Sequence, residues 1–247
     1  MRHMRHESYY AGDILLERLR QSGVLKHVLH DGGDIILFEM YSGERVSVQM
    51  IESSIPLYEI KNIVEANTRE GIYSVFMLWA AMMVPEHGKV FKMTDWMAGF
   101  VALNGDRVYA YDTLDREVYL FSVFLHGDGP LRTTEWGYTL RAGTLTLREV
   151  TTGLPGLSGT WRVAAFETPV FTAEDVLTGN QPMSELDAAY ALLGCIPGDD
   201  RDAVRSAYYI MARKYHPDAN PGEDVTATMQ KINAAYERVI LQLDKKG

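Results

Sequence analysis

The chain has 247 residues, of which 47% are apolar, and its 24 basic and 33 acidic residues give a net charge of −9. This length suits one large domain or two of ordinary size, and the apolar fraction is typical of a packed globular protein. Most non-specific affinity for nucleic acid comes from an excess of basic residues, which this chain lacks. The charge balance therefore argues against nucleic acid and against an anionic membrane surface as main partners.

Cysteine content and apolar runs bear on the cellular compartment. Cys195 is the single cysteine, which excludes an internal disulfide framework and a cluster of thiolate metal ligands. The charged N-terminus is followed by no apolar segment of the kind found in signal peptides. The most apolar run, residues 72–84, is too short to span a bilayer. These features predict a cytoplasmic protein.

Helical and strand patterns alternate in the first hundred residues. Residues 10–21 have a helical apolar pattern, and residues 34–40 and 45–51 are two strand-like runs around a turn. Pro56 suits the first position of a further helix, because its φ is already helical. A second set of apolar residues at helical spacing predicts one more helix and consists of Ile72, Val75, Phe76, Trp79 and Met83.

The pattern changes after residue 106 to short β-rich runs separated by Gly and Pro turns, following a helix that Thr94 or Asp95 can cap. The runs cover residues 107–111, 117–125, 133–140, 144–150 and 158–166. We therefore predict that residues 1–172 form an α+β domain with an antiparallel β meander. The turn-rich segment 173–182 predicts a linker to a second domain at residues 183–247.

The first domain offers few residues that point to chemistry. His27, His30, Asp31 and Asp34 have a spacing that suits metal ligands if the segment is helical. Surface histidines near a helix end are the stronger interpretation, because the Gly pair that follows ends any helix there. The serines lie in no nucleophile motif and the acids form no evident pair. We predict no metal, no cofactor and no catalytic residue.

The C-terminal region has the pattern of three helices. Gly194 ends the first, and Asp199 or Asp200 can cap the second. Apolar residues recur at helical spacing in the second and third helices, at Val204, Ala207, Met211 and Tyr215 and then at Val225, Met229, Ile232, Tyr236 and Val239. Two such helices joined by a short loop pack antiparallel through these residues.

The loop between the second and third helices has a restricted conformation. Pro217 disfavours helical geometry at His216 and fixes its own φ, and Pro221 stops the chain from re-entering a helix. The loop is therefore expected to present His216 and Asp218 at a rigid tip.

Three motifs in this region resemble those of the J-domain (DnaJ-like) co-chaperones. They are Tyr-Ala-Leu-Leu-Gly at residues 190–194, Ala-Arg-Lys-Tyr-His-Pro-Asp at 212–218 and Lys-Ile-Asn-Ala-Ala-Tyr-Glu at 231–237. The resemblance covers the last quarter of the chain and implies an all-α domain, an antiparallel helical hairpin with a short helix. It also implies that the domain triggers ATP hydrolysis in a DnaK-type chaperone and is not itself an enzyme.

The resemblance assigns chaperone binding to the His-Pro-Asp loop and to the outer face of the second helix. The residues so assigned are His216, Pro217, Asp218, Arg205, Tyr208, Tyr209, Arg213, Lys214 and Asn220. The bases on this face form a positive strip that suits an acidic partner. The strip is thin, because the family commonly has Lys or Arg at the positions of Ser206, Tyr209, Ile210 and Ala219.

The chain lacks the Gly/Phe-rich segment and the zinc modules of the general J-proteins, so it resembles the specialised class. This favours a co-chaperone whose first domain binds a client or a target. The alternative is a hydrolase or nuclease domain that carries an accessory J-domain. A structural scaffold with a degenerate J-domain is a third hypothesis. A polar pocket in the first domain favours the enzyme, and an exposed apolar groove favours the targeting module.

Overall fold

The computed structural model describes residues 6–114, 117–167, 184–221 and 224–245. Its elements in the first part of the chain are α1 (His6–Gln21), β1 (Leu25–Asp31), β2 (Ile35–Met40), β3 (Arg45–Ile51), α2 (Leu57–Arg69), β4 (Ile72–Trp79), α3 (Ala80–Met83), β5 (Val90–Lys92), α4 (Asp95–Asn104), β6 (Arg107–Leu114), β7 (Glu117–His126), β8 (Leu131–Thr139), β9 (Leu145–Thr152) and β10 (Gly159–Phe166). The C-terminal elements are α5 (Glu185–Leu193), α6 (Arg201–Lys214) and α7 (Thr226–Asp244). The predicted linker, 173–182, lies outside the described residues.

The strands of the first part form one mixed sheet. Its main order is β1-β2-β3-β4-β6-β7-β8-β5, and β10 pairs with both β4 and β9. β6, β7 and β8 are joined as an antiparallel meander, and β2 pairs antiparallel with β3 across the predicted turn. The predicted α+β class and its meander are therefore confirmed. The centre of the sheet is parallel, because β4 runs parallel to β3, β6 and β10.

The predicted helix through Ile72 and Met83 is wrong for most of its length. Residues 72–79 form β4, and only Ala80–Met83 is helical. Along β4, Val75 and Met77 enter the core on one side of the sheet, whereas Phe76 and Leu78 enter the core on the other. A strand buried on both faces is apolar at nearly every position, so it also satisfies a helical spacing.

The histidine segment considered for metal binding is also a strand. His27 and His30 lie on β1, which is an edge strand paired with β2. Among the described residues, no group of three or more His, Cys, Asp or Glu side chains is arranged to hold a metal ion. The helical geometry on which the metal hypothesis depended is absent from the segment.

The C-terminal helices begin and end where local chemistry predicts. The Asp200 side chain accepts a hydrogen bond from the Ala203 N–H and caps α6. Gly194 ends α5 in the left-handed conformation, with a φ of 75°. The apolar residues predicted to face inward, except Val225, belong to or pack against one cluster, which includes Val204, Met211 and Ile232. No helix among the described residues is both long enough and apolar enough to cross a membrane.

Candidate functional site

The loop after α6 is an ordered turn that carries two exposed polar side chains. The Asp218 N–H donates to His216 Nδ1 over 3.2 Å, and the Ala219 N–H donates to the His216 carbonyl over 3.0 Å. The side chains of His216 and Asp218 are 55% and 93% exposed. The turn therefore holds an imidazole and a carboxylate side by side, with both open to solvent.

Asn220 fixes this turn to the end of α6. Its Nδ2 donates to the carbonyl oxygens of Lys214 and His216, over 2.9 Å in each case. The last carbonyls of a helix have no partner within the helix, so a side-chain donor at this point satisfies them. Asn220 thus sets the position of His216 relative to the helix.

Tyr208 has a role inside the helical hairpin. Its ring stacks on that of Tyr236 in α7, with centroids 4.4 Å apart. Its hydroxyl donates to Asn233 Oδ1 over 3.1 Å. Although Tyr208 is in the set assigned to the chaperone, these contacts join α6 to α7.

Comparison with known families agrees with this architecture. The model of the DnaJ domain matches residues 188–246. Residues 188–246 are a DnaJ domain. The matched segment is about a quarter of the chain, and it contains the exposed His-Pro-Asp turn and the two helices that carry it.

The similar proteins match over the DnaJ domain alone. The "Curved DNA-binding protein" of Escherichia coli O1:K1 is 40% identical over 53 residues, which are 22% of this chain and 17% of that protein. Proteins of the same name from Citrobacter koseri and Salmonella arizonae give the same figures. The chain thus spans 17% of the length of these curated relatives. No solved structure gives a significant match.

Three of the four basic residues of α6 in the DnaJ domain pair with acids of the sheet, whereas Arg201 pairs with Asp244 of α7. Arg205 lies 3.1 Å from Glu117 and Lys214 lies 2.9 Å from Glu135, between side-chain N and O atoms. Arg213 pairs with Asp112, whose side chain is only 5% exposed. We call Asp112, Glu117 and Glu135 the sheet carboxylates.

Aromatic and apolar contacts lie between these ion pairs. The Tyr209 ring stacks on the ring of Tyr119 in β7, and the Arg213 guanidinium lies 4.3 Å from the centroid of the Trp136 ring. Ile210 is 1% exposed and belongs to the core cluster of the sheet, not to that of the DnaJ domain. The contact of α6 with the sheet thus has an apolar centre as well as a charged rim.

The expectation that this side of α6 is a free outer surface is therefore wrong. We call it the docking face, defined by Arg205, Ser206, Tyr209, Ile210, Arg213 and Lys214. Ser206 is buried and its hydroxyl accepts a hydrogen bond from Arg18 over 3.2 Å. Three of the four positions without the expected base thus lie in the contact with the first part of the chain, Ser206 against α1 and both Tyr209 and Ile210 against the sheet. Their lack of charge was the sequence signal for a covered face.

The loop from Val84 to Lys89 lies beside the His-Pro-Asp turn. Its Glu86 lines a groove of about 360 Å³ together with residues of α6 and the turn, including Tyr209, His216 and Asp218. In the same loop, His87 Nδ1 accepts a hydrogen bond from the Trp136 N–H over 3.1 Å. Burial, followed by the charge of Lys214, lowers the pKa of His87 to about 4. Sequence reasoning missed both this loop and the sheet carboxylates.

Proposed function

We propose that this protein is a co-chaperone that stimulates ATP hydrolysis by a DnaK-type chaperone through its His-Pro-Asp turn. The observation that carries the proposal is the exposed pair of His216 and Asp218 on an ordered turn of a DnaJ domain. Hydrolysis takes place in the chaperone, so the turn acts as an activator. The DnaJ domain itself needs neither a catalytic residue nor a cofactor for this role.

The first domain, residues 1–172, acts in this proposal as a client-binding or targeting module of a cytoplasmic protein. The DnaJ domain accounts for the last quarter of the chain, and its partner is the chaperone. Any selection of a client must therefore come from the sheet and its helices.

Nucleic acid is not part of the proposed function. The name of the bacterial relatives refers to DNA, but the shared segment is 17% of their length. The net charge of this chain is −9, and phosphate contacts require an excess of Lys and Arg. We therefore propose that the partner is a protein. An acidic chain repels a nucleic acid, because nucleic acid is a polyanion.

The test is the variant His216→Gln in the full chain. His216 is exposed, and an exposed substitution changes the free energy of unfolding by about 0.5 kcal/mol or less. We expect stimulation of a bacterial DnaK-type ATPase to fall to background while the unfolding midpoint stays the same. His27→Gln, at an exposed histidine on β1, is the matched control and should stimulate normally. Full stimulation by His216→Gln refutes the proposal.

A further inference from the structure

The docking face is the helix surface that the family resemblance assigns to the chaperone. In this protein its three bases are already paired, each with one of the sheet carboxylates. An acidic partner is what such a strip attracts. Here the acidic partner is the first domain of the same chain.

The apolar centre of the docking face is closed to a second partner. Ile210 lies inside the core of the sheet, and Tyr209 lies against Tyr119 with ring centroids 3.8 Å apart. While α6 stays on the sheet, no other protein can contact Ile210 or the side of the Tyr209 ring that faces Tyr119. The carboxylates and Tyr119 therefore occupy the places that chaperone residues would take.

The His-Pro-Asp turn lies outside this contact. His216 and Asp218 remain exposed at one end of α6, whereas Lys214, two residues before His216, has a side chain that is only 11% exposed. A chaperone can thus reach the turn, but it cannot reach the buried part of the docking face, which consists of Ser206, Ile210 and Lys214.

We propose that the sheet is an intramolecular cap on the docking face, which competes with the chaperone and which must separate from α6 before full stimulation occurs. This inference rests on the proposed function. Two features allow separation without unfolding. The DnaJ domain retains its own core around Val204, Met211 and Ile232, and two of the three ion pairs at the rim are partly exposed to water.

The first experiment opens the cap from the sheet side and leaves every residue of the DnaJ domain intact. Glu117→Arg with Glu135→Arg places positive charge against Arg205 and Lys214. Both glutamates are about 40% exposed, so the fold of the sheet tolerates the change. The matched control is Glu65→Arg with Glu149→Arg, which alters the net charge equally at exposed sites that pair with Arg69 and Arg162.

We expect the opened variant to have a larger radius of gyration in solution scattering. It should also need about three- to tenfold less protein for half-maximal stimulation of a bacterial DnaK-type ATPase. The control should match the wild-type chain, and His216→Gln added to the opened variant should abolish the gain. If the radius of gyration increases and stimulation is unchanged or weaker, the cap is overturned.

The second experiment closes the cap and decides the matter if charge reversal fails to open it. Glu117→Cys with Arg205→Cys supplies two thiols that a short bismaleimide can join. Cys195 can remain, because burial raises the pKa of its thiol and the thiolate is the reactive form. The same variant treated with a monofunctional maleimide is the control. We expect the cross-linked protein to stimulate severalfold less than this control.

Equal stimulation by the cross-linked and control proteins overturns the cap. If the wild-type chain stimulates and this result is found, the proposed function stands and only the cap fails. If neither the wild-type chain nor the opened variant stimulates, the proposed function fails and the cap fails with it.

Discussion

The ring of Tyr209 in α6 lies parallel to the ring of Tyr119 in β7, with centroids 3.8 Å apart and planes inclined by 20°. Tyr119 is 5% exposed, so the stack is part of the packing between the DnaJ domain and the sheet. This pair replaces, at the position of Tyr209, the base that the family commonly carries. The helix face that the family resemblance assigns to chaperone binding therefore packs, in this protein, against an aromatic ring of the sheet.

The stack predicts an energetic coupling between the two domains. In a double-mutant cycle of Tyr119→Ala and Tyr209→Ala in the full chain, urea unfolding should give a coupling free energy of about 0.5–1.5 kcal/mol. A cycle of Tyr209→Ala with Tyr41→Ala is the control, because Tyr41 is exposed on the β2–β3 turn. Additive effects in both cycles contradict a docked arrangement in solution.

Gly194 should tolerate no side chain, for two separate reasons. Its φ is 75°, and an added Cβ would lie 2.1 Å from Cδ1 of Tyr138 at the end of β8. Gly23 has a similar φ of 71° but has no atom within 4 Å of such a Cβ. Gly23→Ala therefore measures the cost of the backbone alone, about 1 kcal/mol. Gly194→Ala should cost about 1–3 kcal/mol more in urea unfolding, and equal costs contradict the close approach.

The buried imidazole of His87, which lies near the docking face, should make the stability of the chain depend on pH. Its pKa is about 4 in the folded chain, because burial and the Lys214 ammonium disfavour the imidazolium, and its ordinary value is 6.5. As pH falls from 6.5 to 4, the unfolded chain gains this proton and the folded chain does not. The free energy of unfolding therefore decreases through this range, and the group adds no pH dependence above it.

The variant His87→Asn tests this dependence. Its Oδ1 can still accept from the Trp136 N–H, while the titrating ring is removed. Unfolding free energies measured in urea at pH 7, 6 and 5 should fall less steeply for the variant than for the wild-type chain. Parallel slopes for His87→Asn and the wild-type chain would show that folding does not disfavour protonation of the His87 imidazole.

Local rules made the DnaJ domain predictable from the sequence. Gly194 ends a helix and Asp200 caps one because each acts on neighbouring backbone groups, and the structure places both as expected. Part of the meander was predictable because the turn between β7 and β8 contains Gly127, Gly129 and Pro130. β4 was not, because a strand with two buried faces has no alternation of polar and apolar residues.

No local signal in the sequence shows that the sheet is what covers α6. The paired residues are far apart in the chain, because the residue numbers of Lys214 and Glu135 differ by 79 and those of Arg213 and Asp112 differ by 101. The chain has 33 acidic residues, and their positions in the sequence do not show which three form ion pairs with α6. The sequence showed only that Ser206 and Ile210 lacked an expected charge, and the fold was needed to show what covers them.

Asn220 is predicted to be a positioning residue for the His-Pro-Asp turn. Its Nδ2 donates to the carbonyls of Lys214 and His216, so Asn220→Ala removes two donors, and Asn220→Asp puts a carboxylate against two carbonyl oxygens. Stimulation of a DnaK-type ATPase should therefore decrease in the order Asn, Ala, Asp. The loss should appear as weaker maximal stimulation even at saturating protein, because the imidazole of His216 is present but misplaced.

The Asn220 variants also lose some folding stability, so the control must lose stability without changing the turn. The side chain of Asn220 is partly buried, and each lost hydrogen bond costs about 0.5–1.5 kcal/mol, which leaves the domain folded at room temperature. Asn233→Ala removes one hydrogen bond, from the Tyr208 hydroxyl, and lies on α7 away from the turn. It should lower the unfolding midpoint without lowering maximal stimulation. If Asn220→Asp stimulates as well as the wild-type chain, the turn does not depend on Asn220 for its active position.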